Sequence, residues 1–257
     1  MLRSMPIAGG GLAPRELTVY LPADAGDRRR RPVAILLDGQ HLFDDAASLA
    51  GSWRAAEAVD RIAEDALAPI VVGVPNSGVR RLVEYAPFRD RRHGGGGARR
   101  TLALLAETVR PLIERSFPVE RSPSSWAIGG SSLGGHFALW SFFSAPALAG
   151  AAIAMSPTTL FGGESLLAFV ERARGRGGRI HLDCGTEEGR RRRRRGAARR
   201  VPTAYVRRVR RLRRALERKG YVEGESLAYV EQPGAGHDER AWRSRLEGAL
   251  RFVFAPR

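Results

Sequence analysis

Apolar residues in this chain fall into short unbroken runs separated by longer stretches in which they recur every three or four positions. Residues 33–37 (Val-Ala-Ile-Leu-Leu), 70–74 and 151–155 are apolar almost throughout, the pattern of strands buried on both faces. Residues 15–22 alternate as a strand should, and 126–130, 180–184 and 227–231 read as further strands. Between these runs, 53–67 spaces Trp53, Ala56, Val59, Ile62, Ala63 and Ala66 at helical intervals, and Pro69 then leads into the next strand. Residues 102–117, 136–143, 203–219 and 241–254 are the other predicted helices, with Gly220 closing the one before it. Strands separated by helices throughout predict a mostly parallel sheet with helices on both faces, because parallel strands need crossovers that are usually helical. The expectation is one α/β domain over residues 1–257, with a basic insertion near 189–201. That insertion and the glycine-rich stretch 89–100 are expected to be surface loops.

Composition leaves this picture standing and narrows the function classes. With 257 residues and 43% hydrophobic content the chain can bury a sizeable core. Its longest apolar stretches, such as 145–155, fall short of the about 20 residues that cross a bilayer, so no membrane span is expected. The first 14 residues carry a glycine triplet where a signal peptide needs a continuous apolar core, and Cys184 stands alone. Both features fit a cytoplasmic protein without an intrachain disulfide.

The formal net charge of +16 would suggest a nucleic-acid or membrane-surface protein, but the charge is local. Residues 190–219 hold 16 of the 43 basic residues against one acid, Glu217, while the other 227 residues balance 27 basic against 26 acidic. Within 203–219, Val206, Val209, Leu212 and Leu216 make one apolar stripe, as in a packed surface helix whose arginines face water. Tyr205 is the only ring in the window, against the interleaved aromatics that single-strand binding uses, so nucleic acid is not the expected partner. The 190–195 run, adjacent to Glu188, could still attract an anionic substrate.

Chemistry enters at Gly130-Ser131-Ser132-Leu133-Gly134, a G-x-S-x-G pattern between a predicted strand and a predicted helix. In that setting the central Ser132 sits on a sharp elbow, and small flanking residues are needed where strand and helix approach. A serine hydroxyl needs a base to take its proton and an acid to orient that base. Of five histidines, His136 is too near Ser132 in the chain, His181 lies inside a strand, and His93 and His41 belong to loops elsewhere. His237, in the glycine-bounded loop 233–238 between the last strand and the last helix, is the candidate base. The strand 180–184 ends in Gly185-Thr186-Glu187-Glu188, placing carboxylates where ligand sites of parallel sheets gather. Glu188 is preferred as the acid, with Asp183 as the alternative. The order Ser132, Glu188, His237 is that of the α/β-hydrolase fold. The oxyanion needs two N–H donors: Leu133, which follows the nucleophile, supplies one, and Gln40 in the turn Leu37-Asp38-Gly39-Gln40-His41 is the candidate for the other, unless that turn is an ordinary strand exit. No His-Glu-x-x-His and no paired cysteines occur, and the glycine runs precede neither a Walker lysine nor a dinucleotide pattern, so neither metal nor cofactor is expected.

These segments together resemble the putative esterase family of α/β hydrolases, which includes enterochelin-esterase-like and feruloyl-esterase-like enzymes. The resemblance is carried by 36–44, 70–74, 81–87, 129–135, 155–157, 185–188 and 234–237, in family order, and spans about residues 15–254. It implies a small-molecule ester substrate, Ser132 as nucleophile, His237 as base, Glu188 as acid and the turn Asp38-Gly39-Gln40 as oxyanion site. It also points to Asp38, His41 and the Arg81, Glu84, Tyr85 segment as substrate-contact candidates, with an Arg81 to Glu84 ion pair as the competing reading of that segment. The chain departs from the family in the arginine run after Glu188 and in the loop at 94–97. An acyltransferase would share every one of these residues, and a non-catalytic binder of anionic surfaces would use the 190–219 arginines instead.

Overall fold

A computed structural model describes residues 1–24, 26, 29–47, 51–159, 161–162, 164–190 and 202–256. Ten strands are present among them: β1 (Leu2–Gly9), β2 (Leu12–Tyr20), β3 (Val33–Leu37), β4 (Ile70–Val74), β5 (Arg89–Asp90), β6 (Gly94–Gly95), β7 (Trp126–Ser131), β8 (Ala151–Met155), β9 (Arg179–Gly185) and β10 (Leu227–Gln232). Eight form one sheet in the order β1-β2-β4-β3-β7-β8-β9-β10. From β4 to β10 every pairing in this sheet is parallel, and β2 alone runs against the others, antiparallel to both β1 and β4. The helices are α1 (Ala55–Ala63), α2 (Arg81–Tyr85), α3 (Ala98–Ala103), α4 (Arg110–Ser116), α5 (Leu133–Ser144), α6 (Ser165–Arg172), α7 (Ala204–Arg218) and α8 (Glu239–Phe254). A wide turn of π-helix joins α3 to α4.

The unbroken apolar runs become the central strands because both faces of the sheet are covered. Along β3, Val33, Ile35 and Leu37 enter one apolar cluster with α5, α6 and α7, while Ala34 and Leu36 enter the other with α1 and α8. Burying each such Ile or Leu is worth roughly 1.5–3 kcal/mol. The middle helix α5 is apolar on nearly all sides, with ten of its twelve residues buried, as befits a helix packed between sheet and outer helices.

The sequence-based expectation misses β1, whose residues are mostly exposed and include Pro6. It pairs only at the sheet edge, where one apolar face and a missing N–H are tolerated. The glycine-rich stretch is not wholly a loop either: Gly94 and Gly95 pair with Asp90 and Arg89 in a small hairpin. Of the basic insertion, residues 191–201 lie outside the described residues.

The chain leaves β3 toward β4 on one side and leaves β7 toward β8 on the other, while β3 and β7 are direct neighbours. A crevice beyond the carboxyl ends of such a strand pair is where open α/β sheets bind ligands. Ser132 follows β7 and the turn at Asp38 follows β3.

Candidate active site

Ser132 holds φ 55 and ψ −115 between β7 and α5, a backbone conformation that only a tight elbow imposes on a non-glycine residue. Gly130 lets the elbow close, since a Cβ there would come within 2.8 Å of the Gly134 backbone, while a Cβ on Gly134 would lie in ordinary contact, 3.4 Å, with Asp38 Oδ2. The first turn of α5 therefore rests against Leu37 and Asp38 at the end of β3. Leu133 is the first residue of α5, so its N–H lacks an intrahelical acceptor. Gln40 lies in the single helical turn Gly39–His41, entered through the left-handed Asp38 at φ 60.

That turn is braced from behind by buried charge. The Asp38 carboxylate accepts two bonds from Arg81, each 2.7 Å, and a third from Asn76 at 2.7 Å, while its N–H donates to the Tyr85 hydroxyl at 3.2 Å. Burial works against the Arg81 charge, but the Asp38 carboxylate outweighs it and holds the guanidinium pKa above its ordinary value. Glu84 is paired with Arg15 through two bonds of 2.9 Å and also accepts from Ser77. The competing reading of an Arg81 to Glu84 pair is thus corrected: each has a different partner. Glu84 and Tyr85 are buried, as is Asp38, and the Tyr85 hydroxyl and Arg81 hold Asp38 in the turn. Burial, then the Asp38 charge, push the Tyr85 phenol well above its usual value, keeping it neutral. Arg81, 31% exposed, and the half-buried His41 are the substrate-contact candidates that solvent can reach.

The acid and base candidates meet across the neighbouring strand ends. Glu188 closes the turn after β9, and His237 immediately precedes Asp238, whose side chain caps α8 by accepting from Ala241 N–H at 3.1 Å. The two loops are laced together by Glu187 N–H to Ala235 O at 3.0 Å, Thr186 N–H to Gln232 O at 3.0 Å and Gly234 N–H to Thr186 Oγ1 at 2.9 Å. His237 Nδ1 consequently lies 3.0 Å from Glu188 Oε2, with Glu188 buried and the imidazole 33% exposed. The ring stands edge-on to Tyr205 and Trp242, at centroid distances of 5.4 and 5.1 Å. Glu187 instead pairs with Arg190 at 2.6 Å, and Asp183 accepts from Arg245 and His181, so neither takes the place beside the base.

Among the described residues, Ser132 Oγ hydrogen-bonds Thr158 Oγ1 at 3.0 Å and not His237. Thr158 N–H donates to Ser132 O at 2.9 Å, and His136 Nδ1 meets Thr158 O at 2.7 Å, so the loop after β8 is tied to the elbow at three points. Burial pushes the His136 pKa down to about 4, and the Thr158 bond offsets this only in part. Tyr205 donates to Ser156 O and interacts with the Thr158 hydroxyl, placing the hydrogen-bond partner of Ser132 and the His237 ring against one side chain.

Sequence reasoning did not find Thr158, Ser156, Tyr205, Trp242 or Arg245 as parts of this site. The available signals were Ser156 within the family-like Met155-Ser156-Pro157 and the i, i+3 spacing of Trp242 and Arg245 just after His237. No group of three or more metal-binding side chains occurs among the described residues, and burial pushes the Cys184 thiol up to about 12, far from a reactive thiolate.

Compared with known proteins, residues 13–253 match the model of the family described as "Putative esterase". A Bacillus subtilis protein described as "Uncharacterized protein YbbA" is 23% identical over 247 residues, covering 93% of this chain and 92% of its own length. Among solved structures, siderophore hydrolase EstB from Aspergillus nidulans matches with TM-score 0.69 and 23% identity, over 98% of this chain and 94% of that one. The enterobactin esterase of Shigella flexneri matches with TM-score 0.75 and 19% identity, over 100% of this chain and 59% of its own. At such identities the structures speak for the fold, and the family match speaks for the class. The chain belongs to the putative esterase family, carboxylic ester hydrolases of the α/β-hydrolase fold.

Proposed function

We propose that this protein is a serine hydrolase that cleaves a small-molecule carboxylic ester through an acyl-enzyme. Ser132 is the nucleophile, His237 the base and Glu188 the acid. The observation that carries the reading is a strained Ser132 elbow at the end of β7 together with, at the ends of β9 and β10 of the same sheet, a base 3.0 Å from a buried carboxylate. In the reaction Ser132 Oγ exchanges its bond to Thr158 for one to His237 Nε2, and catalytic bonds commonly tighten only when substrate binds. As Oγ attacks the ester carbonyl carbon, Nε2 takes its proton and the carbonyl π electrons move to oxygen. The N–H groups of Leu133 and Gln40 hold that oxyanion. Collapse expels the alcohol, which receives the proton from Nε2. Water, deprotonated by the same nitrogen, then releases the acid and restores the serine.

Glu188 faces Nδ1, so the imidazolium that forms lies against a buried negative charge. The chain is read as one catalytic unit, since the nucleophile, acid and base come from three segments between 132 and 237 of one sheet. Ser132→Ala tests the reading. Turnover of a short chromogenic ester should fall by about 10³-fold or more with the melting temperature unchanged, and full activity in that variant rejects it.

A further inference from the structure

Ser156, directly after β8, is fully buried and holds φ 41, a left-handed conformation that serine rarely adopts. All its polar groups are engaged. Its N–H donates to Asp183 Oδ1 at 2.9 Å and its carbonyl accepts from Tyr205. Its hydroxyl meets Glu188 Oε1 at 2.6 Å, Trp242 Nε1 at 3.1 Å and an Arg245 terminal nitrogen at 3.0 Å. An indole N–H and a guanidinium have no lone pair to offer and can only donate. The one hydroxyl proton is therefore directed onto Glu188.

Glu188 Oε1 also accepts from Gly185 N–H at 2.6 Å. Oε1 is thereby fully engaged as an acceptor, and the carboxylate plane is held in place. With Oε2 then an acceptor too, His237 must present Nδ1–H to it, leaving the lone pair on Nε2, where a base for Ser132 needs it. Behind this stands a second buried carboxylate: Asp183 is 3.1 Å from Arg245 Nε and 2.9 Å from His181 Nε2. Arg245 thus pairs directly with Asp183 and reaches Glu188 through the Ser156 hydroxyl, which links the two buried carboxylates.

We infer that Ser156 is a positioning residue that fixes the orientation of the Glu188 carboxylate and through it the tautomer of His237, its own hydroxyl aimed by Trp242 and Arg245. The inference rests on the Ser132–His237–Glu188 reading and extends it to a residue outside the triad.

Ser156→Ala and Ser156→Gly remove the hydroxyl, and glycine also accepts the positive φ without strain, which separates loss of the bond from backbone relaxation. In both, kcat for a short chromogenic ester at pH 8 should drop about 10- to 100-fold with KM within about twofold, the effect of one hydrogen bond to a charged group. The far-downfield proton resonance of His237 Nδ1–H, present in the parent protein, should move upfield or vanish. Folded variants that keep both kcat and that resonance overturn the inference. Should neither variant fold, Ser156→Cys, which keeps the bulk and substitutes a feeble donor, is read by the same two outcomes. A parent protein without esterase activity would instead defeat the triad reading itself.

Discussion

Two regions concentrate charge in this molecule, and they use it in opposite ways. Around His237, two carboxylates and one guanidinium are buried, each held by several bonds. Along α7, arginines lie at the surface, most of them paired with acids. Arg208 and Arg211 meet Glu164, Arg210 meets Glu231, Arg213 meets Glu217 and Glu223, and Arg218 meets Glu171. Four of those five acids come from outside the 190–219 window that holds the excess. The near-neutral remainder of the chain thus supplies counter-charges, and the described part of the window is not a bare cationic face. Buried charge in fixed geometry acts on a neighbour's protonation, whereas exposed pairs are screened and contribute little.

Breaking the buried cluster should have the largest consequence. Glu188→Ala leaves His237 Nδ1 without its acceptor, and kcat should fall about 10³- to 10⁴-fold, measured by single-turnover kinetics at pH 8. A loss under tenfold would move the acid role elsewhere. Next comes the bracing of the oxyanion turn: Asp38→Ala strands the largely buried Arg81 and frees Asn76. Because Arg81 is 31% exposed, the cost should stay near the lower end for broken buried pairs, about 3 kcal/mol by urea unfolding, with kcat reduced as the turn loosens.

His136 supplies a smaller effect with a definite sign. Its folded pKa is depressed to about 4 by burial, against roughly 6.5 when unfolded. The unfolded chain therefore binds the proton more readily, and the contribution to stability is present above pH ~6.5 and lost as pH falls toward 4. Urea midpoints should show about 2 kcal/mol of this loss between pH 7.5 and 5, and His136→Gln should remove that part of the slope. Smallest of all, Arg211→Ala on α7 should change stability by no more than about 0.5 kcal/mol, and less in 0.5 M salt. An effect of 2 kcal/mol there would erase the difference between the two regions.

Much of this was legible in the sequence for a physical reason. Residues 33–37, 70–74 and 151–155 could be read as central strands because burial on both faces leaves no position for a polar side chain. The Ser132 elbow was legible because a strand-to-helix turn demands small residues at fixed offsets, and the Glu188–His237 pair because both residues follow strands at the carboxyl edge of the sheet. Strand β1 was not, since its exposed edge position asks almost nothing of its residues. Ser156, Trp242 and Arg245 were hidden differently: their bonds link positions 27 to 89 residues apart, and a serine or arginine looks the same in sequence whether it ends up buried or wet. The Arg81 and Glu84 partners were missed because i, i+3 proximity suggested a local pair, while Asp38 and Arg15 arrive from other strands.

The central claim is that Ser132 is a nucleophile made reactive by His237 and Glu188. The most direct measurement is labelling of the whole protein with a fluorophosphonate, followed by peptide mass spectrometry. The account predicts a single adduct on Ser132 in the parent protein, about 10³-fold slower labelling in His237→Ala, and none in Ser132→Ala. No adduct in the folded parent protein, or an adduct on another serine, would contradict it.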